Sequence, residues 1–344
     1  MKSHTSESEL TVINNNAPSN KVFQIEAALS ISEPLPAVDV WLVLDLLRAS
    51  STIVTWFERG GKKIYPEATV DVALSLKEEM LKNGVSPLLM GEVNAFPPDG
   101  FDAGNSPLEI DGGAVKQHPT AIMATSNGTK AIIKALSTGA AVYIACARNA
   151  LYAIDAALSH GHCIGVLCAG QNGRPAIDDT ICAGLIVDRL CRFLPNYIIS
   201  DGADIALKIW KNARGSFENN IKASGHAKYL SKIGFDQDIS FACERDSVAY
   251  VPEVKEVSDF CESGLRAVIT CERKSVLRFL SEENISSIIN EEQKQIKADE
   301  EMKIYKDKIK IVKTAEDGDI FLGGSSYSHN KQGRRNLDFD FGSN

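Results

Sequence analysis

The chain has 344 residues, 44% hydrophobic and 24% charged, a globular composition long enough to bury a large core without a disulfide or metal staple. A formal net charge of −8 argues against a general nucleic-acid surface, although local donors that converge still permit an anion site. No run of about 18 apolar residues is present, so no membrane span is expected.

The eight cysteines form no CxxC pair and mostly sit among apolar residues, which predicts reduced, buried thiols and a cytoplasmic protein. Residues 1–20 are polar, lack the apolar segment of a signal peptide, and are expected as a disordered lead-in. Short apolar runs then recur at 22–28, 38–44, 63–65, 88–90, 121–124, 142–146 and 163–168, each of strand length. Several are apolar throughout, as strands covered on both faces are. Amphipathic stretches lie between or after them at 51–59, 70–83, 129–137, 150–159 and 178–193. The alternation predicts a layered α/β/α fold with largely parallel or mixed sheets. Residues 21–252 are read as this α/β domain, in two subdomains with a break near 140. Residues 253–313 are read as a peripheral strand and charged helix, with Ile285, Ile288, Ile289 and Ile296 at helical spacing. Residues 314–344, rich in Gly and Ser at their start, are read as a disordered tail.

Four segments carry the candidate chemistry. Asp45-Leu46-Leu47-Arg48-Ala49-Ser50-Ser51-Thr52 joins a strand end to a helix start, where α/β proteins place ligands. Ser50, Ser51 and Thr52 offer hydroxyls, Arg48 a planar fork for phosphate or carboxylate, and Asp45 a carboxylate for a metal. An ordinary helix cap with a surface Arg–Asp pair reads the same residues equally well. Glu92 follows the next apolar strand and opens a long Gly/Pro-rich loop through Gly104-Asn105-Ser106-Pro107, in which Asn105 and Ser106 are neutral donors or simple turn residues. Thr125-Ser126-Asn127-Gly128-Thr129 makes a second strand-to-helix junction, lacking the lysine of a nucleoside-triphosphate loop. Asp178-Asp179 opens a helix; adjacent acids there serve the helix dipole or a hard divalent ion. Cys168 reads as a structural thiol, and all six histidines, His226 among them, as structural or solvated.

The order of these segments, rather than any one of them, resembles the 2-phosphosulfolactate phosphatase family. The resemblance runs from about 22 to 252, with Gly100-Phe101-Asp102-Ala103-Gly104-Asn105-Ser106-Pro107 its most specific stretch, and includes Gly234-Phe235-Asp236-Gln237-Asp238-Ile239. It implies an α/β, Mg2+-dependent enzyme that hydrolyses the phosphate ester of a small anionic phospho-acid. Asp45, Arg48 and Glu92 are then the expected catalytic residues. Ser50, Ser51, Thr52, Asn105, Ser106, Ser126, Asn127, Gly128 and Thr129 are expected to bind substrate, and Glu92, Asp178 and Asp179 to hold the metal. Two positions depart from the family pattern: Val93 stands where an arginine commonly follows the Gly-Glu pair, and Asp178-Asp179 where Glu-Asp is usual. The alternatives are a phosphatase of the same fold acting on another small phospho-acid, a non-catalytic anion-binding protein, and a tail-centred scaffold. No nucleic-acid or membrane partner is expected, and homo-oligomerisation is left open.

Overall fold

In the computed structural model, residues 22–260, 265–271, 277–281, 283, 285–299 and 301 are described. The lead-in at 1–20 and the tail at 314–344 lie outside them. The chain begins with β1 (Phe23–Ala28), β2 (Val40–Leu44), α1 (Ala49–Glu58), β3 (Lys63–Glu67), α2 (Val70–Lys82) and β4 (Leu88–Gly91). It continues with α3 (Gly112–Gln117), β5 (Thr120–Ala124), α4 (Gly128–Leu136), β6 (Ala141–Ala145), α5 (Ala150–Leu158), β7 (Cys163–Cys168) and α6 (Ile177–Phe193). Then come β8 (Tyr197–Ile199), α7 (Asp201–Ala213), α8 (Phe217–Lys222), α9 (Gly225–Lys232), α10 (Asp236–Ala242), β9 (Glu253–Val257) and β10 (Arg266–Thr270). Residues 285–299 are helical, and the compact unit ends at Asp299.

The strands form one mixed sheet in the order β4-β5-β3-β10-β9-β6-β2-β7-β1-β8, flanked by helices, so the expected α/β class holds. Two parallel runs, β4-β5-β3 and β6-β2-β7-β1-β8, are joined through β10 and β9. The chain starts in the second run with β1 and β2, crosses to the first for β3, β4 and β5, and returns between α4 and β6. The segment after residue 252 was expected at the periphery. It instead supplies two strands to the middle of the sheet, β10 pairing with β3 and β9 with β6. Its charges misled because these strands are antiparallel to their neighbours and keep Lys255 and Glu256 in water while Val254, Val268 and Ile269 are buried.

Each of the contacts β3–β10, β10–β9 and β9–β6 reverses direction, so the two parallel runs point in opposite senses along the sheet. On a flat sheet their carboxyl ends would lie at opposite edges. A sheet of ten twisted strands curls. Helix α4 packs against β2, β3, β6, β7 and β9, strands from both runs and the connection between them. Helix α1 is enclosed as well: Ala49 through Phe57 are all buried. Its hydroxyls must therefore find partners inside the protein. Ser51 donates to the Leu46 carbonyl (2.8 Å), Thr52 to that of Asn105 (2.8 Å) and Thr55 to that of Ser51 (2.8 Å). On the other side, α6 lies tightly against α7: a Cβ on Gly184 would come within 2.1 Å of the Ala206 carbonyl oxygen.

The helix at 285–299 is anchored rather than loosely laid on. Glu292, fully enclosed, receives Arg189 (3.2 Å) and Arg245 (2.5 Å), and Asp299 receives Arg214 (2.8 Å). Asp155 accepts the N–H groups of Arg278, Phe279 and Leu280 just before the helix. Ile285 and Ile288 are buried, as the spacing predicts.

Candidate active site

Residues from the carboxyl ends of both runs nonetheless line one cavity of about 340 Å³. The first junction sends in Asp45 and Arg48, the loop after β4 Glu92, Asn94, Ala95 and Asn105, and the second junction Ser126 and Asn127. Gln171 and Asn172 follow β7, and His226 and Tyr229 come from α9. Asn94, Ala95 and Asn172 hold φ values of 54°, 72° and 51°, left-handed backbone that side chains rarely adopt and that clusters at functional sites.

Asp45 sits at the tip of β2. Its Oδ1 accepts the Ala49 N–H (3.2 Å), and its own N–H is close to the Ser50 hydroxyl (2.9 Å). Burial pushes its carboxyl up to about 6; His226 works against this, while Glu92 and Asp178 add repulsion. Glycine at 128 lets the first turn of α4 rest on this carboxylate, because a Cβ there would meet Asp45 Oδ2 at 2.6 Å and Ala49 Cβ at 2.5 Å.

Arg48, 3% exposed, is held by residues 190 positions away: Nη1 donates to Asp238 Oδ2 at 3.0 Å, and the guanidinium lies 4.2 Å from the Phe235 ring centroid. Nη2 donates to the Ala95 carbonyl at 2.8 Å. Two of its five N–H groups are thus used to fix the fork at the cavity wall. Ser106 donates to the other oxygen of Asp238 (2.6 Å), so its hydroxyl braces Arg48 at one remove.

Glu92 closes the second junction. Its Oε1 accepts the Ser126 N–H (2.8 Å), and its Oε2 accepts the Ala95 N–H (2.8 Å) and the Ser126 hydroxyl (3.3 Å). Asn127 Oδ1 accepts the Asn172 N–H (3.1 Å). Thr129 turns inward, exchanging hydrogen bonds with Thr125. Of the expected site residues, Asp45, Arg48, Glu92, Asn105, Ser126 and Asn127 therefore line the cavity. Ser50, Ser51, Thr52, Ser106 and Thr129 are buried with their hydroxyls engaged by protein groups, and Gly128 acts by leaving room.

The acids of α6 differ from one another. Asp179 accepts the N–H groups of Leu46 and Gly170, both at 2.9 Å, tying the ends of β2 and β7 together. Burial raises its pKa well above the usual carboxylate range, with Asp178 and Asp45 adding repulsion. Asp178 offers Oδ2 to His226 Nδ1 at 3.4 Å, while its buried Oδ1 has no partner among the described residues. Burial presses the His226 pKa down, but Asp178, together with the charge of Asp45, outweighs this, and the net direction is upward. His226 was expected to be structural or solvated. A lone histidine in a polar stretch gives no signal in sequence, and only the approach of α9 brings it to the cavity.

Among the described residues, no three or more His, Cys, Asp and Glu side chains cluster as a ready-made metal cage. Magnesium needs none, since it takes one or two carboxylates and completes its shell with water and substrate oxygens. The hard oxygens of Asp45 and Glu92, the raised pKa of Asp45 and the unpartnered Asp178 Oδ1 fit such an ion. Both oxygens of Asp179 accept backbone N–H groups, as those of Glu92 do, but Asp179, unlike Glu92, does not line the cavity and fits the ion less well. Cys168 is buried, and burial raises its thiol pKa well above the usual value. Val93 is exposed and does not line the cavity.

The family model of 2-phosphosulpholactate phosphatase matches residues 29–257, which hold every cavity residue named above. The chain belongs to the 2-phosphosulfolactate phosphatase family. A protein of Pseudothermotoga lettingae named probable 2-phosphosulfolactate phosphatase is 35% identical over 225 residues, 65% of this chain and 93% of that protein. Proteins of the same name from Deinococcus radiodurans and Thermotoga maritima are 34% identical over 229 residues and 38% over 211. They cover 66% and 61% of this chain, and the matches span 92% and 87% of their own lengths. The family match thus ends at the last residue of β9, and β10 lies beyond it.

Proposed function

We propose that the protein is a magnesium-dependent phosphatase that hydrolyses the phosphate ester of 2-phosphosulfolactate to sulfolactate and phosphate. The observation that carries this reading is the meeting of Asp45, Glu92, Arg48 and His226 in one cavity of a chain from this family. The substrate brings a phosphate, a sulfonate and a carboxylate to a wall that already holds two acidic side chains, so a cation is needed for charge balance. Asp45 and Glu92 would hold magnesium, with Asp178 behind them; when bound, the ion offsets phosphate charge and acts as a Lewis acid.

The protein's own groups do the rest. Arg48, locked by Asp238 and Ala95, presents its remaining N–H groups to anionic oxygen without having to reorganise. His226 is oriented through Nδ1 by Asp178, which leaves Nε2 as the ring nitrogen able to give a proton to the ester oxygen as water forms the new bond to phosphorus and the ester P–O bond breaks. Its upward pKa favours the protonated form that this step needs. The buried free thiols at Cys146, Cys168 and Cys182 support a reducing, cytoplasmic setting.

Phosphate release from a panel of phospho-acids, with magnesium and with a chelator, tests the reading. Release from 2-phosphosulfolactate that stops in chelator is expected. Equal rates across the panel would sink the substrate assignment, and no release from any member would leave an anion-binding protein.

A further inference from the structure

Two buried arginines are held by α10 and the residues beside it, and the protein uses them differently. Arg148 is consumed by protein contacts: Nε donates to Glu244 (3.3 Å), Nη1 to Thr55 (2.9 Å) and Nη2 to Glu58 (3.3 Å), with the Phe241 ring centroid 3.9 Å away. Arg48 instead lines the cavity and, among the described residues, pairs with a single carboxylate. That partner is Asp238 on the first turn of α10, and the two side chains are 2% and 3% exposed. Asp238 Oδ2 accepts Arg48 Nη1 at 3.0 Å, and its Oδ1 accepts the Ser106 hydroxyl at 2.6 Å, so both oxygens are engaged. Ser106 belongs to the stretch 100–107 and Asp238 to the stretch 234–239, the two segments that the sequence singled out without a common purpose. They meet at this carboxylate.

Arg48 and Asp238 face each other where water is scarce, so their charges largely offset one another toward the cavity. What remains is a fork of aimed N–H groups carrying little net charge. An unopposed guanidinium would grip any phosphate harder, the ester and the inorganic phosphate released from it alike. Binding shared equally by ground state and transition state does not speed the chemical step, and for the product it delays departure. Resting on the phosphatase reading above, we infer that Asp238 is a positioning residue for the reaction. It aims the Arg48 fork and offsets its charge, so that phosphate is oriented without being retained. Ser106 acts one step further out, fixing the carboxylate that fixes the fork.

The test uses the full chain with magnesium, as wild type, Asp238→Asn and Ser106→Ala. In Asp238→Asn the amide oxygen can still accept from Arg48 and the amide NH2 can still meet the Ser106 oxygen, so the shape stays while the charge goes. Calorimetry with inorganic phosphate reads affinity without turnover, and kcat and KM are measured on 2-phosphosulfolactate. Asp238→Asn is expected to bind phosphate about tenfold more tightly, the scale of one unmasked charge in a partly screened site. Its KM and kcat should both fall. Adding Arg48→Met should abolish the gain in affinity, because the gain runs through the guanidinium. Ser106→Ala keeps the charge and loses the brace, so kcat should fall several-fold with phosphate affinity unchanged. A merely structural Asp238 would lower the melt and leave kcat and KM of the folded protein as they were, and that result would overturn the inference. Should Asp238→Asn fail to fold, an unchanged kcat in Ser106→Ala overturns it and a reduced one supports it. If the wild type released no phosphate from the ester while Asp238→Asn still bound phosphate more tightly, the phosphatase reading would fall and the charge offset would stand. A wild type that turns over, beside an Asp238→Asn that binds phosphate no more tightly, would leave the reading and overturn the role of Asp238.

Discussion

The two strand-to-helix junctions look alike in sequence and serve the cavity differently. The first, from Asp45 to Thr52, turns all three hydroxyls into the protein and shows the cavity a carboxylate and a guanidinium. The second, from Thr125 to Thr129, buries its threonines and shows the cavity a hydroxyl and a carboxamide. The difference follows from enclosure. Helix α1 is covered along nearly its whole length, so its hydroxyls satisfy backbone carbonyls inside. The first turn of α4 borders the cavity, and Glu92 supplies the acceptor that Ser126 needs. Charge chemistry therefore belongs to one junction and neutral recognition to the other, and the two meet at Gly128 against Asp45.

The strongest way to break this pairing is to remove the strands that join the runs. A chain ending at Pro252 loses β9 and β10, uncovers β3 and β6, and separates the two junctions. The sheet predicts a loss larger than the roughly 5–15 kcal/mol that holds a domain together, read as disappearance from the soluble fraction. A chain ending at Asp299 keeps the compact unit and should keep both its fold and its phosphate release.

Asp45→Asn tests the charged junction alone. The amide oxygen can still accept the Ala49 N–H, but the carboxylate is gone, and turnover should fall by about 10³ or more, on the scale of losing a preorganised electrostatic group. Stability should move the other way. The folded-state pKa of about 6 lies above the ordinary 3.8, so the folded protein binds the extra proton between those values. Metal-free wild type should therefore lose stability as pH rises from about 4 to 6, by up to about 3 kcal/mol, with denaturant melts as the measure. Asp45→Asn should flatten that profile.

His226→Gln keeps a polar side chain and removes the proton donor. A fall in kcat of about 10²-fold is expected, the lower range for general acid–base groups. In the wild type, kcat should decline as pH rises through the raised pKa of His226, and that limb should vanish in the variant. Gly128→Ala strikes the point where the junctions meet. Its Cβ forces Asp45 and Ala49 aside, at a cost of about 1–3 kcal/mol in stability, with turnover falling as well. Gly112→Ala, with no atom within 4 Å of the added carbon, is the neutral comparison.

The smallest effects should separate the hydroxyls. Ser51→Ala removes a buried bond to Leu46 and should lower stability by about 1 kcal/mol while leaving KM close to wild type. Ser126→Ala should show the reverse, a modest rise in KM with an unchanged melt. Matching effects from the two substitutions would mean that the junctions are equivalent after all.

Much of this was legible in the sequence. Val40–Leu44 is apolar throughout because β2 is buried along its whole length, and the segment after it holds Asp45 and Arg48 at the cavity. Glu92, Asn105, Ser126 and Asn127 were found because strand ends and Gly-rich loops mark ligand positions in α/β proteins. The direction of the hydroxyls was not legible, since a buried helix and a surface helix cap use the same Ser and Thr. His226 and Asp238 were missed because their roles depend on α9 and α10 returning to the first junction from far along the chain. Tyr197–Ile199 was missed as a strand because it has three residues and is largely exposed. The strands after residue 252 were misplaced because their charged residues face water in the middle of the sheet, where a peripheral reading was natural.

The central position of β10 also has a consequence for how the protein is made. It pairs Ile269 with Ile64, so among the described residues the strand that fills the gap beside β3 is the last of the ten to leave the ribosome. Until then, β3 has β5 on one side and an open edge on the other, waiting for a partner roughly 200 residues downstream, a long-range closure that slows folding. Open strand edges are what nascent chains aggregate through. The maturing polypeptide must hold its first run unfinished through most of synthesis, and its demand for chaperone protection should peak just before β10 emerges.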